Sequence, residues 1–160
     1  MSDFEALYRK YAGDVYRFAL HLCGNRAQAE DLTSEAFVRM WTASDRLRLP
    51  TVKSYLFTIA RNLYLESLRH SSRRVELEEL PHPAPGPYGQ AESSERLATV
   101  LRGLRLLTEA DRAALLMRAE EGMSYEEIAA ALNLSVAATR VRIHRARVRL
   151  AQYCISKEEE

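Results

Sequence analysis

The chain has 160 residues, of which 47% are hydrophobic and 28% are charged, and its formal net charge at pH 7 is +1. This composition predicts a globular protein without a membrane span, because no apolar run approaches the roughly 18 residues that a bilayer crossing requires. The N-terminus carries acidic residues and lacks the apolar segment of a secretory signal, so we expect a cytoplasmic protein.

The sequence lacks the patterns that mark common catalytic and metal sites. It contains no glycine-rich phosphate loop, no nucleophile elbow and no His/Cys set with the spacing of metal ligands. Its two cysteines, Cys23 and Cys154, lie far apart, and we expect them to be ordinary packing or surface residues. We therefore predict no catalytic residues, no metal, no cofactor and no enzymatic activity.

Three amphipathic helices are predicted in the first part of the chain. Apolar residues recur there at three- and four-residue steps, as on a helix with one buried face. The first stripe ends at Gly24, and the third follows Pro50. The stripes consist of Phe4, Leu7, Tyr8, Tyr11, Val15, Phe18 and Leu22, then Ala29, Leu32, Ala36, Phe37, Met40 and Trp41, then Tyr55, Leu56, Ile59, Ala60, Leu63 and Leu68. We expect these residues, including the aromatic ones, to form a core.

A proline-rich segment divides the chain. Four of the five prolines lie in residues 81–87, and a Gly/Gln/Ser stretch follows, which neither continues a helix nor supplies a core. We therefore predict an all-α protein of two small helical domains, covering residues 1–75 and 93–155, joined by a flexible linker over residues 76–92.

The second domain is predicted to contain a helix-turn-helix. Ser124 and Glu127 have the spacing of a capping box. Asn133 can adopt the left-handed conformation of a turn, and Ser135 is a favourable N-cap for the last helix. This succession of short helices is typical of DNA-binding proteins. The predicted helices before the last one span residues 94–107, 109–121 and 125–132.

The last helix is strongly basic. Five arginines and no acid lie between Ser135 and Tyr153, and arginines one turn apart can bond guanine edges or phosphates in the major groove. The alternatives are a solvated basic helix and one that docks on an acidic protein, but the capped helix before it favours DNA. The predicted buried face is Val136, Thr139, Ile143, Ala146 and Leu150. The predicted DNA contacts are Arg140, Val141, Arg142, His144, Arg145 and Arg147.

Three segments resemble the extracytoplasmic-function (ECF) subfamily of bacterial sigma-70 factors. Residues 107–150, with SYEEIA and R-x-H-R-A-R as their most specific parts, look like the promoter-reading C-terminal domain. AEDLTSEAFVRMW at 29–41 resembles the polymerase-binding segment of sigma domain two, and SYLFTIARNLYLESLRHSSRR at 54–74 resembles its minus-ten-reading segment. The resemblance implies a factor that binds core RNA polymerase, directs promoter-specific initiation and is regulated by an anti-sigma factor.

The resemblance also implies roles for individual residues. The polymerase-binding residues, which also fall off the apolar stripe, are Asp31, Ser34, Glu35 and Val38, and their implied partner is the clamp helices of the largest polymerase subunit. The implied minus-ten contacts are Arg46, Arg48, Lys53, Arg61, Asn62 and Arg69. From the residues alone, a solvated acidic face and surface cations stay open as alternatives. Arg61 and Asn62 are expected to point outward, because the other face of their helix is apolar.

A different function remains open beside the sigma factor. A helix-turn-helix regulator that acts as a dimer at a palindrome would share the C-terminal features, and it would not need core polymerase. Stable dimerisation and tight binding of an operator by the protein alone would support this alternative.

Overall fold

The computed structural model describes residues 3–43, 52–71 and 91–159. The described residues form helices and no strands, so the predicted all-α fold with two helical domains is confirmed. The helices are α1 (Asp3–Cys23), α2 (Arg26–Thr42), α3 (Val52–Ser71), α4 (Ala91–Arg105), α5 (Glu109–Leu115), α6 (Tyr125–Leu132) and α7 (Val136–Glu158). The predicted linker lies largely outside the described residues, and the exact domain boundaries stay predictions. None of the described helices has the length and apolarity of a membrane span.

Helices α1, α2 and α3 form the N-terminal domain around an aromatic core. Gly24 ends α1 with a φ of 75°, a left-handed conformation that favours glycine. Asn25 then caps α2, because its side chain accepts a 2.8 Å hydrogen bond from the backbone N–H of Gln28. The chain therefore reverses within two residues, and this reversal packs α2 along α1. In the core, the rings of Phe18 and Phe57 lie 4.9 Å apart between centroids.

Most of the predicted stripe residues are buried or partly buried, but the prediction is wrong for three of them. Tyr8, Trp41 and Leu68 are 42%, 46% and 40% exposed. Trp41 and Leu68 lie in the last turns of α2 and α3, and Tyr8 lies in the second turn of α1. Trp41, for example, meets the edge of Phe4 with ring centroids 5.3 Å apart. A periodic pattern identifies the buried face of a helix, but it does not tell how far along the helix that face is covered.

The helix-turn-helix forms as the local sequence predicts. Ser124 and Glu127 make a reciprocal capping box at the start of α6, with hydrogen bonds of 3.1 and 3.3 Å. Asn133 ends α6 in the left-handed conformation with a φ of 57°. Ser135 caps α7 by accepting a 3.0 Å hydrogen bond from the backbone N–H of Ala138. These caps fix the angle at which α7 leaves the turn.

The helix predicted over residues 109–121 is not a single α-helix, which corrects the prediction. Helix α5 continues into a π-helical turn, Leu116–Glu120, in which Glu121 N–H bonds Leu116 O at 3.2 Å. One extra residue per turn rotates the end of the helix relative to its start. Glu120 and Glu121 consequently face α1 and α3 of the other domain. Helix α4 also begins at Ala91, earlier than predicted.

The two domains pack against each other. Apolar residues of both domains form one continuous buried cluster. Arg112 of α5 crosses the boundary, donating a 2.9 Å hydrogen bond to Leu22 O at the end of α1. At Gly24 the approach is so close that a Cβ atom would overlap the Arg105 guanidinium group. The contact between the domains is thus a packed interface with both apolar and polar components.

Candidate nucleic-acid interface

The predicted DNA-binding face of α7 lies on the surface. Thr139, Ile143 and Ala146 are buried, and Val136 and Leu150 are partly buried, as predicted. The rest of the helix surface presents the exposed side chains of Arg140, Val141, His144, Arg145 and Arg147, with Val141 63% exposed. An exposed basic helix held by a capped helix-turn-helix has the shape and charge to enter a major groove.

Arg142 differs from its neighbours because it is tied to the interior of its own domain. Its side chain is 28% exposed, and it donates a 2.9 Å hydrogen bond to Asp111, which is 1% exposed. Arg145 also reaches this carboxylate, with 3.6 Å between Nη2 and Oδ1. Asp111 therefore anchors α7 to α5 and holds two arginines of the candidate DNA-binding face. The sequence alone does not indicate this role of Asp111, because only the fold brings α5 beside α7.

A second contact restrains the first arginine of the candidate DNA-binding face of α7. The guanidinium of Arg140 lies 5.1 Å from the centroid of the Tyr125 ring, and that of Arg118 lies 4.4 Å from it. Arg118 also donates a 2.9 Å hydrogen bond to Met123 O. Cations attract the face of an aromatic ring, so Tyr125 restrains Arg140 next to the turn. Sequence reasoning missed Tyr125 and Arg118, because only the fold brings the π-helical turn after α5 beside α6 and α7.

The predicted polymerase-binding residues lie together on the exposed side of α2. The residues in question are Asp31, Ser34, Glu35 and Val38, and all four are exposed. Val38 is 52% exposed, and the 46% exposed Trp41 follows it on the next turn. Glu35 pairs with Arg39 at 3.3 Å, so part of the acidic charge is already balanced. The face combines apolar and charged groups, as a surface that meets another helix should.

The predicted minus-ten residues do not form one exposed site. Asn62 and Arg69 are exposed on α3, whereas Arg46 and Arg48 lie outside the described residues. Lys53 and Arg61 both point at the C-terminal domain. The expectation that Arg61 faces outward is therefore wrong, because the second domain covers the side of α3 that would otherwise be open.

Arg61 is held by a paired contact across the domain boundary. Its Nε and Nη2 atoms donate hydrogen bonds of 2.8 Å each to the two carboxylate oxygens of Glu109. The two side chains are only 12% and 18% exposed. Two parallel bonds between a guanidinium and a carboxylate fix both distance and orientation. The pair occupies the Nε and Nη2 side of the guanidinium and leaves little of the Arg61 side chain exposed to another anion.

A second acidic group meets the N-terminal domain at the π-helical turn. Glu121, 1% exposed, accepts a 3.1 Å hydrogen bond from Arg17 and lies 3.4 Å from Lys53 Nζ. Lys53 also donates a 3.0 Å hydrogen bond to the Glu121 carbonyl oxygen. Glu120 lies 2.7 Å from His21 Nδ1 and 3.3 Å from Arg17 Nε.

Burial and pairing act in opposite directions on the pKa values of this cluster. Burial raises the pKa of the Glu121 carboxyl above its ordinary value, and the hydrogen bond from Arg17 opposes that rise. The same hydrogen bond raises the pKa of Arg17.

In residues 3–43, 52–71 and 91–159, no group of three His, Cys, Asp or Glu is placed to hold a metal ion.

The fold and these surfaces define a two-domain, all-α protein whose C-terminal helix-turn-helix presents an exposed basic helix. Residues 7–74 match the family Sigma-70 region 2, and residues 97–150 match the family Sigma-70, region 4. The chain belongs to the sigma-70 family and, by its relatives, to the ECF subfamily. The resemblance drawn from the sequence is confirmed.

Named relatives agree with the family matches. The chain is 35% identical to the ECF RNA polymerase sigma factor SigE of Mycolicibacterium smegmatis, covering all of this chain and 65% of that protein. It is 31% identical to the ECF RNA polymerase sigma factor EcfG of Rhodopseudomonas palustris, covering 84% of this chain and 75% of that protein. The sigma factor RpoE of Bartonella quintana, crystallised with the anti-sigma factor NepR, has a TM-score of 0.83 and 26% identity, covering 96% of this chain and 97% of that one.

Proposed function

We propose that this chain is an ECF-type sigma factor, which binds core RNA polymerase and directs it to specific promoters. The observation that carries the proposal is the presence of both sigma regions, in order, at residues 7–74 and 97–150 of one chain. A dimeric regulator needs a helix-turn-helix, but it has no need of the first region. The relatives named above carry the sigma-factor name and match across both domains.

In this proposal the exposed face of α7 reads the minus-thirty-five element. Arg140 and Arg145 are exposed and restrained by Tyr125 and Asp111, so their guanidinium groups are held where an incoming duplex would meet them. Restrained side chains lose less conformational freedom on binding than free ones. Arg147 adds positive charge towards the phosphates. Arg142 acts chiefly by anchoring the helix through Asp111.

The exposed face of α2 binds core polymerase in this proposal. Asp31, Ser34, Glu35 and Val38 supply its polar rim and an apolar centre, and Trp41 extends the apolar part. The partner is a helical element, the clamp helices of the largest subunit. Apolar groups at the centre of such a contact contribute most of the binding free energy, and the surrounding charges set the orientation.

In this proposal α3 contacts the minus-ten element and takes part in its opening. Asn62 and Arg69 are exposed on α3 and can meet DNA directly, whereas Lys53 and Arg61 become accessible only when the C-terminal domain moves away. The factor performs no chemistry itself, since the polymerase makes the transcript. It works in the cytoplasm, where polymerase and chromosome are found, and an anti-sigma protein regulates it.

Transcription with purified bacterial core polymerase tests this function. Fragmented genomic DNA of the source organism serves as template, with and without the protein. Discrete transcripts that require the protein are the expected result. The double variant Asp31→Ala with Val38→Ala should lose most of them, whereas Arg26→Ala, an exposed substitution on the same helix but off that face, should keep them.

The alternative function gives a different result in the same system. If core polymerase neither binds the protein nor gains specific starts, and the protein alone protects palindromic duplex DNA as a dimer, the sigma-factor proposal is overturned.

A further inference from the structure

One buried carboxylate lies beside two arginines of the candidate DNA-binding face of α7. Asp111 Oδ1 accepts a 2.9 Å hydrogen bond from Arg142 Nη1 and lies 3.6 Å from Arg145 Nη2. Residues three positions apart on a helix are neighbours on its surface, so both side chains reach the same oxygen from adjacent turns. A single acid of α5 therefore contacts two of the residues assigned to the minus-thirty-five element.

The two arginines are held to different degrees. Arg142 is within hydrogen-bonding distance of the carboxylate, and its side chain is 28% exposed. Arg145 is beyond hydrogen-bonding distance, and its side chain is 49% exposed. A guanidinium has five N–H donors, so attraction to Asp111 restrains Arg145 without using the donors that a guanine edge would need. Arg142 is thus tied to α5, whereas Arg145 stays available at the surface.

Burial makes the pair of Arg142 and Asp111 difficult to break. The Asp111 side chain is 1% exposed, and a carboxylate removed from water costs free energy unless a partner compensates its charge. A DNA phosphate that attracted Arg142 would leave this buried carboxylate without its hydrogen bond. Arg142 should therefore stay paired with Asp111 when a duplex meets α7, and its charge is not offered to the phosphates.

We infer that Asp111 is a specificity-determining positioning residue of the minus-thirty-five contact, although it does not touch DNA itself. Its carboxylate keeps Arg142 away from the phosphates and sets the direction from which Arg145 approaches one base pair. The inference rests on the proposed function, because that function makes α7 the reader of this promoter element.

Two measurable quantities follow from these two roles. Removal of the carboxylate charge frees Arg142, which adds a cation near the phosphates and makes binding more dependent on salt. It also lets the Arg145 guanidinium take several directions, so the preference for one base weakens. A domain that was merely destabilised would bind all sequences less well, and its salt dependence would not rise. The sign of that change therefore separates positioning from loss of structure.

The test is a selection of bound promoters from a library randomised over the minus-thirty-five element. The full-length chain is reconstituted with purified core polymerase, and the selection is repeated at several salt concentrations. Arg145→Ala identifies the base position that Arg145 reads, and Arg147→Ala gives the change in salt slope for one lost phosphate contact, about 1. Circular dichroism at the selection temperature verifies that each variant is folded.

Loss of the carboxylate charge should change both quantities. Asp111→Asn should raise the salt slope by about 1 and lower the preference at the Arg145 position by about fivefold, which is part of the discrimination that one arginine supplies. Preferences at the other positions should stay as in wild type. Glu95→Gln, at an exposed acid of α4, removes the same charge from the same domain, and it should leave both quantities unchanged.

A double variant separates the two roles and covers the case in which the single variant fails to fold. Asp111→Asn with Arg142→Gln removes both charges of the pair, so it should return the salt slope to the wild-type value and keep the weakened preference at the Arg145 position. A slope about 1 below wild type would mean that Arg142 contacts a phosphate, which would overturn the inference. An unchanged preference at the Arg145 position, or an equal loss at all positions, would also overturn it.

Failure of the proposed function would give a different result. Wild type would then select no sequence together with core polymerase. The same variants are therefore compared on duplex DNA bound by the full-length chain alone at low salt, since the outer face of α7 is exposed in the free chain. The role of Asp111 is tested there without polymerase, and the same changes in slope and preference are expected.

Discussion

Asp111 of α5 accepts a 2.9 Å hydrogen bond from Arg142 of α7, although the acid is almost completely buried. A buried carboxylate costs free energy unless it is paired, so the position of α5 and the register of α7 depend on each other. Arg145 lies 3.6 Å from the same oxygen and is partly restrained by it. The candidate DNA-binding face is thus positioned from inside its own domain.

Replacing Asp111 with Asn should destabilise the C-terminal domain. The amide keeps the volume but loses the charge that pairs with Arg142, and the expected loss in the free energy of unfolding is about 2 kcal/mol. Urea unfolding followed by circular dichroism measures the change. Glu126→Gln, an acid-to-amide change at an exposed site of the same domain, should stay within about 0.5 kcal/mol of wild type. Equal stabilities of the two variants would contradict the anchoring role.

Two glycines within helices should respond in opposite directions to alanine. A Cβ at Gly103 of α4 would lie 2.6 Å from Leu150 Cδ1 and 2.8 Å from Tyr153 Cδ1, whereas a Cβ at Gly13 of α1 would meet nothing within 4 Å. Gly13→Ala should stabilise by about 0.5–1 kcal/mol through helix propensity. Gly103→Ala gains the same stabilisation from helix propensity, but its methyl group overpacks the contact between α4 and α7. We therefore expect a net loss of about 1 kcal/mol in the free energy of unfolding. Thermal unfolding of both variants checks the difference in sign.

The parts of the fold that local chemistry determines were predictable from the sequence. Ser124 and Ser135 cap backbone groups a few residues away, and Asn133 itself adopts the left-handed conformation, so their spacing alone identifies the helix-turn-helix. The buried face of α7 was predictable for the same reason, since its periodicity is local. Of the candidate site, the exposure of the α2 face and of most α7 contacts also agreed with the sequence.

The pairing between the domains could not be predicted in this way. Arg61 and Glu109 are separated by 48 positions, with a linker between them. On a helix wheel Arg61 looks like a solvent-facing cation, and nothing in its neighbourhood indicates that a second domain covers it. The π-helical turn that aims Glu120 and Glu121 at the N-terminal domain has no simple composition signal either. The sequence nominated residues for a minus-ten site, which stay a prediction, but it could not tell that Lys53 and Arg61 are covered by the C-terminal domain.

Arg112 should be among the positions at which a substitution lowers the free energy of unfolding most. It is 6% exposed and donates hydrogen bonds of 3.0, 2.9 and 3.1 Å to the carbonyl oxygens of Leu104, Leu22 and Leu107, and burial lowers its pKa. Arg112→Met fills a similar volume but removes all three hydrogen bonds, although the Leu104 oxygen keeps the backbone N–H of Leu107 as a donor at 3.2 Å, so we expect a loss of about 3 kcal/mol. Arg102→Met, at an exposed position of α4, should change the urea midpoint little. Similar urea midpoints for the two variants would show that the three hydrogen bonds of Arg112 contribute little to the free energy of unfolding.

Glu121 should make stability depend on pH in a defined direction. Because burial raises its pKa in the folded protein above the ordinary value of 4.5, the folded state holds more protons on this group than the unfolded state does above pH 4.5. Its contribution to the free energy of unfolding is fully present below pH 4.5 and is lost as pH rises through the raised pKa. The groups around it are Arg17, Lys53, Asp14 and Glu120.

Comparison with Glu121→Gln isolates the contribution of Glu121 to the pH dependence of the free energy of unfolding. The variant cannot titrate at this position, so the stability of wild type minus that of the variant should fall as pH rises from about 4 to about 8 in urea unfolding. A difference that rises over the same interval would mean that the ion pairs with Arg17 and Lys53 outweigh burial. A matched series with Glu126→Gln corrects for the other titrating groups.

Two exposed residues of α7 should separate sequence reading from general attraction to DNA. Val141 is 63% exposed and uncharged, so Val141→Ser should change the preferred base in a randomised minus-thirty-five library, with little effect on the salt dependence of holoenzyme binding. Arg147→Ala removes one exposed cation, and it should weaken binding to all members of the library and reduce the salt slope by about 1. Selection of bound promoters by the reconstituted holoenzyme, repeated at several salt concentrations, measures both effects. If Arg147→Ala changed base preference and left the salt slope unaltered, the groove-facing side of α7 would have to be assigned differently.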